Sequence, residues 1–320
     1  MANSLKTSTA VALQAYVRDY AQELFTKMFY RFKTAELVSV EEGVKGQRIL
    51  TNLKVGTGLS KRYSSTFAGK ADAAEFVPRT LTTVLNKAEF SFTPTELENS
   101  YLGWLRKSGQ DPMDNPFEAY VMEKFTNALK MEMENAVWQG VAAGSPASTD
   151  LLAATFNGFK KIIADEITDM NITPITTTAI TSTNAVAKFR LLWAGVDPAY
   201  QESGTAIICS MPVYDAYRIN YKDLYHQAPT TAPIAGTNYE GMDYELGGGN
   251  TKIVCVPGLG SSGRVIVTPL ENLVIGLDGA QDINWNVEQD HWNMDVFAAF
   301  RLGVQIRSIE AGVLVVNEQV

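Results

Sequence analysis

Apolar residues recur at helical spacing across residues 114–144. The residues on this stripe are Phe117, Val121, Phe125, Ala128, Leu129, Ala136 and Val137, whereas Glu118, Lys124 and Lys130 lie outside it. Pro116 suits the first helical position, and Gly140 and Gly144 favour an end to the helix. The pattern therefore predicts one helix about 40 Å long, which is longer than the core of an ordinary compact domain requires.

A helical pattern also covers residues 8–33. Its apolar positions are Val11, Tyr16, Val17, Tyr20, Leu24, Met28, Phe29 and Phe32. Two interpretations stay open for this segment. It is either an ordinary core helix or an arm whose aromatic stripe docks on a neighbouring copy of the chain. The second interpretation makes Tyr16, Tyr20 and Phe29 candidate contacts between subunits.

Residues 41–95 alternate with period two, which is typical of strands. Ile49, Thr51, Leu53 and Val55 alternate with Arg48, Leu50, Asn52 and Lys54, and a strand pattern resumes over residues 81–92. Few large apolar residues lie between these runs, so the segment cannot bury much of itself. It is predicted to be either a flexible insertion or a long β-hairpin that needs a partner surface.

Basic residues lie along this segment and near its expected tip. They are Lys54, Lys61, Arg62, Lys70 and Arg79. Solvation of an exposed tip is the simple interpretation of these charges. The functional interpretation pairs them with acidic groups of a neighbouring subunit, where each pair contributes little free energy but fixes the register of the contact.

Residues 281–307 also alternate, but the alternation changes phase once. Ile283, Trp285 and Val287 are odd-numbered. A second set is even-numbered and consists of Trp292, Met294, Val296, Ala298, Phe300, Leu302, Val304 and Ile306. One extra residue in a β-bulge would produce this change of face. A single extended run would reach roughly 75 Å, so a bend or a break is also predicted.

The region between these patterns predicts a mixture of helices and strands. One helix is expected to end at Gly195, and residues 205–209 form a continuous apolar run typical of a buried strand. Ser210 is expected to cap the helix that follows, with Pro212 in its first turn.

Composition narrows the classes of function. The chain has 320 residues, is 46% hydrophobic and carries a net charge of −8, which argues against tight nonspecific binding of nucleic acid. Cys209 and Cys255 lie in apolar runs, where buried free thiols are expected rather than a disulfide or a metal site. The sequence lacks a signal-peptide pattern and an apolar run of some 18 residues, so a soluble protein of a reducing compartment is predicted.

Candidate chemistry is sparse. Residues 258–263 match the dinucleotide pattern G-x-G-x-x-G, but the β-branched run at 264–269 follows where a helix would be required. A glycine turn between two strands is the better prediction, and a nucleotide-dependent oxidoreductase remains as an alternative of another class. Glu132 and Glu134 are two positions apart on the predicted helix and do not form a carboxylate pair. No catalytic, cofactor-binding or metal-binding residues are predicted, so neither a cofactor nor an enzymatic activity is expected.

Several stretches, taken in order, resemble one family. Residues 134–140 are similar to the acidic, aromatic and glycine ending of that family's long helix, and residues 155–159 to the motif that opens its next helix. Residues 267–278 resemble its strand with Thr-Pro, Asn-Leu and Gly-x-Asp, whereas residues 297–306 and 310–314 resemble its closing strand and tail. The family is that of the major capsid proteins of tailed bacteriophages, which have the Hong Kong 97 fold.

This resemblance implies an α+β fold divided into named parts. They are an N-terminal arm (1–40), an E-loop hairpin (41–95), a peripheral domain with a long spine helix (96–150), an axial domain (151–280), a peripheral-domain strand (281–307) and a C-terminal return to the axial domain (308–320).

The resemblance also implies a function. The chain is expected to self-assemble through hexamers and pentamers into the icosahedral head that encloses the phage genome, with only weak contact to the packaged double-stranded DNA. It would be made in the bacterial host cytoplasm and would reside in the virion, without contact to a membrane. Portal, scaffolding and decoration proteins are further partners to consider. An encapsulin-like compartment shell around a cargo enzyme is the alternative on the same fold.

Overall fold

The structure is a computed structural model. It describes residues 13, 15–17, 19–20, 24, 32–55, 62, 74–93, 117–145, 147, 149–202, 205–226, 252–278, 284–290 and 293–319. Within these residues the protein has a mixed α+β fold with two five-stranded sheets and two short two-stranded ladders.

Five helices are described in chain order. They are α1 (Phe117–Gln139), α2 (Phe159–Thr168), α3 (Ala185–Ala194), α4 (Pro198–Glu202) and α5 (Met211–Tyr225). Short 3-10 turns occupy Leu152–Ala154, Pro257–Leu259 and Leu270–Asn272.

The described strands lie before, between and after these helices in the sequence. They are β1 (Ser39–Glu41), β2 (Gln47–Leu50), β3 (Leu53–Val55), β4 (Ala74–Phe76), β5 (Arg79–Thr82), β6 (Val84–Phe92), β7 (Ile175–Thr177), β8 (Thr205–Cys209), β9 (Lys252–Cys255), β10 (Ile266–Pro269), β11 (Leu273–Leu277), β12 (Asn284–Asp290), β13 (Asn293–Ile306) and β14 (Val315–Gln319).

Helix α1 confirms the long helix predicted from the sequence. Its 23 residues span roughly 35 Å, and it ends at the residue before Gly140. A Cβ on Gly140 would lie 2.5 Å from the backbone oxygen of Ala136, so the close packing at this end requires glycine. The predicted apolar stripe is buried or half-buried except at Ala128, which is exposed because it lies at the margin of the stripe.

The first sheet is built around β13, a strand of 14 residues. Strand β6 pairs with one edge of β13, whereas β11 and β12 follow one another along its other edge, and all three run antiparallel to it. Strand β1 extends the sheet by pairing in parallel with β11. The even-numbered residues of β13 from Met294 to Ile306 are buried, as the alternation predicts.

A tight hairpin, not a bulge, causes the change of phase in this region. Strands β12 and β13 pair antiparallel, and the pair Asp290 and Asn293 leaves only two residues for the connection. Directly opposed residues of such a pair share one face, and Val287 opposes Val296. Odd positions of β12 and even positions of β13 therefore face the same side, so the predicted break is confirmed and the predicted bulge is wrong.

The second sheet has the strand order β7-β14-β10-β8-β9 and is covered on both faces. All five residues of β8 are buried, because Ala206 and Ile208 pack into one cluster whereas Ile207 and Cys209 pack into another. The first cluster contains residues of α1 and α2, and the second contains residues of α3 and α5. Burial on both faces explains the continuous apolar run, and the predicted buried strand is confirmed.

Two helix ends of this region can be compared with their predictions. Helix α3 ends at Ala194 with Gly195 as its C-cap, as predicted. Ser210 occupies the N-cap position of α5, but its hydroxyl donates to the backbone oxygen of Ser262 at 2.7 Å and does not cap the helix. The position is therefore correct, whereas the predicted side-chain role is wrong.

The N-terminal segment packs on its own chain at the positions that are described. The backbone nitrogen of Tyr20 donates to the oxygen of Tyr16, and that of Leu24 to the oxygen of Tyr20, both at 2.9 Å and at helical spacing. Leu13, Val17 and Leu24 are buried in a cluster with residues of α1, β12 and β13. This burial supports the core-helix interpretation for these three residues.

Candidate functional site

Strands β2 to β5 form a two-stranded hairpin, which was one of the two predicted alternatives for this segment. Strand β2 pairs antiparallel with β5, and further out β3 pairs antiparallel with β4. The two ladders are separated by an interruption at Thr51 and Asn52 on one strand and at Val77 and Pro78 on the other. One backbone hydrogen bond, from the nitrogen of Val77 to the oxygen of Asn52 at 3.0 Å, bridges this interruption.

Large apolar side chains are exposed on this hairpin. Ile49 is 63% exposed and Phe76 is 69% exposed. Leu50 and Leu81 lie on the face of the inner ladder opposite to Ile49 and are buried with Val44 and Val274 at the hairpin base. The hairpin therefore has an anchored base and, further along, apolar surface that the described part of its own chain leaves open to solvent.

Polar contacts fix the base of the hairpin to the rest of the fold. One guanidinium nitrogen of Arg79, Nη2, donates to Glu166 Oε1 at 2.6 Å and to Gln305 Oε1 at 3.1 Å. Gln305 in turn donates through Nε2 to the backbone oxygen of Thr80 at 2.8 Å. Because Glu166 lies on α2 and Gln305 on β13, these bonds connect the hairpin base to two other elements.

Gly303 allows the hairpin base to approach β13 closely. A Cβ at this position would lie 2.1 Å from the backbone oxygen of Thr82 and 3.0 Å from Thr83 Cα. Both contacts involve backbone, so the strain could be relieved only by separating the two chain segments.

We expect Gly303→Ala to lower the free energy of unfolding by about 3 kcal/mol, because the added methyl group overpacks this backbone contact. Urea denaturation of the purified chain measures the change. Gly144→Ala is the matched control, since a Cβ at Gly144 meets nothing within 4 Å. Equal stabilities of the two variants would contradict the assigned close contact.

The residues predicted to contact neighbouring subunits lie in different settings. The rings of Tyr16 and Tyr20 stack at 4.6 Å, and Tyr20 is 46% exposed. Lys54 lies on β3, although its side chain is not among those described, and Arg62 is exposed. Arg79 is bound within its own chain as given above, and Phe29, Lys61 and Lys70 lie outside the described residues. An inter-subunit role for these eight residues stays a prediction.

Sequence reasoning missed the buried carboxylate of Glu134. Its Oε2 accepts from the backbone nitrogen of Thr34 at 2.9 Å, and its Oε1 accepts from the Thr34 hydroxyl at 2.7 Å. The Thr34 hydroxyl also accepts from Trp138 Nε1 at 2.6 Å. This arrangement suits an ionised carboxylate, because both of its oxygens act as acceptors.

Burial raises the pKa of Glu134 above its ordinary value. Hydrogen bonds from Thr34 and Gly258 and the positive charge of Lys33 act in the opposite direction but are the smaller effects. Lys33 itself has a lowered pKa, chiefly because of its own burial. Glu134 therefore joins the segment that contains Lys33 and Thr34 to α1, at the expense of burying a charge.

The glycine turn at Pro257–Leu259 completes this junction. A Cβ on Gly258 would lie 2.4 Å from the backbone oxygen of Glu134 and 2.4 Å from Trp138 Cδ1. Gln139 Nε2 donates to the backbone oxygen of Gly258 at 2.6 Å. The turn joins β9 to β10, and no helix follows it before β10, so the predicted turn between strands is confirmed. A dinucleotide fingerprint would need a helix N-terminus at this point.

Two other kinds of feature are absent from the residues that the structure describes. Among them, no group of three or more His, Cys, Asp or Glu side chains could hold a metal ion. None of the helices in the described ranges combines the length and the apolar character needed to cross a bilayer.

Comparison with solved structures identifies the fold. A chain of the satellite phage P4 procapsid with its size determination protein superposes with a TM-score of 0.58 at 13% identity, covering 92% of this chain and 98% of that chain. The chain has the fold of phage capsid proteins. The capsid fold extends to a virus-like particle from Pyrococcus furiosus, with a TM-score of 0.51 at 12% identity over 95% of this chain and 99% of that one.

A third structure with the capsid fold is that of Gordonia phage Cozz. It has a TM-score of 0.51 at 10% identity and covers 90% of this chain and 86% of that chain. No family model matches the sequence, and no curated protein matches it. The structural neighbours are mostly phage capsid proteins, and at these identities the likeness concerns the fold.

Proposed function

We propose that copies of this chain assemble, through hexamers and pentamers, into an icosahedral shell that forms the head of a tailed bacteriophage and encloses its genome. The observation that carries the proposal is the likeness to the P4 procapsid chain, which extends over 92% of this chain and 98% of the other. A likeness over nearly the whole of both chains supports a shared architecture more strongly than a likeness confined to one module would.

The named parts of the Hong Kong 97 fold form part of this proposal. Helix α1 serves as the spine helix, and the hairpin of β2 to β5 serves as the E-loop. The second sheet with α3 and α5 serves as the axial domain, and β13 serves as the peripheral-domain strand. The boundaries proposed from the sequence are kept, with residues 1–40 as the arm and 308–320 as the C-terminal return.

The hairpin supplies the physical basis for self-association. Ile49 and Phe76 expose apolar surface, and covering such surface is favourable by about 25 cal/mol per Å². Each contact can be weak, because many equivalent contacts act together in a closed symmetric shell. A net charge of −8 disfavours tight binding to the enclosed DNA, in agreement with the expected weak contact.

The experiment is deletion of residues 56–70. Because β3 ends at Val55 and β4 begins at Ala74, the deletion leaves three residues to close the hairpin, a length that hairpins accept. We expect the variant to fold but not to form shells, as judged by negative-stain microscopy and sedimentation. A Gly-Ser segment of the same length is the control for chain length. Normal shells from the deletion variant would contradict the assignment of the hairpin.

The compartment alternative is separated by the contents of purified particles. A virion head would contain nuclease-protected double-stranded DNA, whereas an encapsulin-like compartment would contain a second protein. Shells that are made in infected bacterial cytoplasm and released with DNA would support the virion as the location of the protein. Portal, scaffolding and decoration proteins would appear in the same particles as minor bands.

A further inference from the structure

Two cysteines lie opposite each other on neighbouring strands of the second sheet. Cys209 is the last residue of β8, Cys255 is the last residue of β9, and the two are paired in the parallel register. Both thiols are free, with Cys209 buried and Cys255 half-buried. Paired residues of neighbouring strands project to the same face of a sheet, so the two sulfur atoms share one environment.

The two thiols are not equivalent. The hydrogen bond between them and the burial of Cys209 both raise the pKa of Cys209. The same hydrogen bond is the largest influence on Cys255, whose pKa it lowers because the Cys209 thiol stabilises a Cys255 thiolate.

Charged groups from two elements face Cys255. Lys33, from the segment before β1, and Arg218, from α5, favour its thiolate form. Asp215 of α5 and burial act in the opposite direction. Since the thiolate is the nucleophilic form, Cys255 is the more reactive member of the pair, and its partial exposure lets a small oxidant reach it.

We propose that Cys255 and Cys209 form a modification site that a peroxide converts into a cross-strand disulfide. The Cys255 thiolate attacks one peroxide oxygen, the O–O bond breaks, and a sulfenic acid forms as hydroxide leaves. The sulfur of Cys209 then attacks the sulfenic sulfur, so that the S–S bond forms and the S–O bond breaks. The proton of Cys209 leaves with that oxygen as water. Two thiols lose two electrons in total, and the peroxide is reduced to water.

The sheet geometry is compatible with this bond. Neighbouring strands lie about 4.8 Å apart, which falls within the Cα separation of roughly 4.4–6.8 Å found in disulfides. The Cβ atoms must approach slightly to reach about 3.8 Å. Strand β9 has four residues and, among the described strands, pairs only with β8, so it can move as an edge strand.

The bond would tie down one edge of the sheet. Strand β9 leads directly into the turn at Pro257–Leu259, which packs on α1 through Gly258. Fixing β9 therefore also restrains the turn on the long helix. If the proposed function holds, the pair stays reduced in the host cytoplasm and is oxidised after release of the particle, which makes the free shell more resistant to unfolding.

The test treats the purified full chain with hydrogen peroxide and counts its thiols after denaturation. We expect the two thiols to disappear together, with a mass loss of about 2 Da and recovery of both thiols on reduction by dithiothreitol. Peptide mapping without reductant should join the segments that contain Cys209 and Cys255. The thermal midpoint of unfolding should rise by about 5 °C.

Single variants separate the two roles. In Cys209→Ser, a dimedone probe should trap the sulfenic acid of Cys255, whereas in Cys255→Ser the buried Cys209 should stay reduced. Two results would overturn the proposal. In the first, both thiols of the unmodified chain survive a peroxide concentration at which dimedone traps a sulfenic acid in Cys209→Ser. In the second, disulfides form only between separate chains. The experiment needs no shells, so its failure is distinguishable from a failure of the assembly proposal.

Discussion

Replacing Ile49 and Phe76 together by aspartate is expected to abolish shell assembly without unfolding the subunit. Both side chains are exposed, at 63% and 69%, so the substitutions remove few contacts within the chain. In a shell, burying each apolar side chain on a neighbouring copy contributes roughly 1.5–3 kcal/mol, whereas burying an unpaired carboxylate is unfavourable. This loss of contact free energy recurs at every copy of the chain. We therefore expect no particles, rather than a smaller number of particles.

Sedimentation velocity and negative-stain microscopy measure this result. Circular dichroism and a thermal melt of the unassembled subunit show whether the fold is kept. The matched control is Ile49→Val with Phe76→Leu, which preserves an apolar surface and should still give particles. Normal yields of particles from the double aspartate variant would show that this face of the hairpin is not a contact.

The largest expected loss of subunit stability follows from removing the Glu134 carboxylate. In Glu134→Ala, the backbone nitrogen and the hydroxyl of Thr34 both lose their acceptor in a buried setting. Because each buried donor left without a partner costs roughly 1–3 kcal/mol, we expect a decrease of about 4 kcal/mol in the free energy of unfolding. Urea denaturation of the unassembled subunit at pH 7 measures it.

Glu134 also predicts the direction of a pH dependence. Burial places its pKa in the folded chain above the value in the unfolded chain, so the folded state binds the proton more tightly. The contribution of Glu134 to stability is therefore fully present below the unfolded pKa and is lost as the pH rises through the folded pKa. Between pH 7 and about 4.5, acidification should increase the stability of the chain relative to Glu134→Gln, which cannot titrate.

Glu134→Gln should cost less than Glu134→Ala at pH 7, because the amide keeps one acceptor and removes the buried charge. Glu132→Gln is the control, since Glu132 is exposed on the same helix. The difference between the original chain and each glutamine variant, measured from pH 4.5 to 8, isolates the single residue. A parallel pH profile for Glu134→Gln and the original chain would exclude this role for the buried carboxylate.

Periodicity sufficed for the elements whose environment is uniform along their length. Helix α1 keeps one apolar stripe until Gln139, and Gly140 follows directly after its end. Strand β13 buries its even-numbered residues throughout, and β8 is buried on both faces, so alternation and a continuous apolar run were sound signals. The two-stranded hairpin was one of two alternatives predicted for residues 41–95, because a stretch with few large apolar residues cannot build its own core.

The pairing between strands could not be predicted from the residue pattern of a single strand. The change of phase before β13 has two explanations, a bulge and a hairpin, and both place apolar residues on one face. Only the register, with Val287 opposite Val296, distinguishes them. Ile49 and Leu50 pose the same difficulty, because the alternation itself does not tell which of two adjacent apolar residues faces the base of the hairpin.

The junction around Glu134 depended on contacts between residues about one hundred positions apart. Thr34 reaches Glu134 across 100 positions, and no local pattern records this separation. One signal was present nevertheless, since Glu134 lies four residues before Trp138 and thus on the same face of the helix. A carboxylate beside a buried tryptophan, in the apolar half of a long helix, indicates a buried acceptor for which a donor should be sought.

The hairpin is interrupted between its two ladders and therefore consists of an inner and an outer part. Hydrogen bonds of Arg79 and Gln305 fix its inner ladder to α2 and β13. Pro78 has no N–H to donate. One backbone hydrogen bond, from Val77 to Asn52, spans the interruption. In the proposed shell, we therefore expect bending to be concentrated at this interruption, so that one sequence can meet neighbouring subunits at unequal angles while the first sheet keeps its shape.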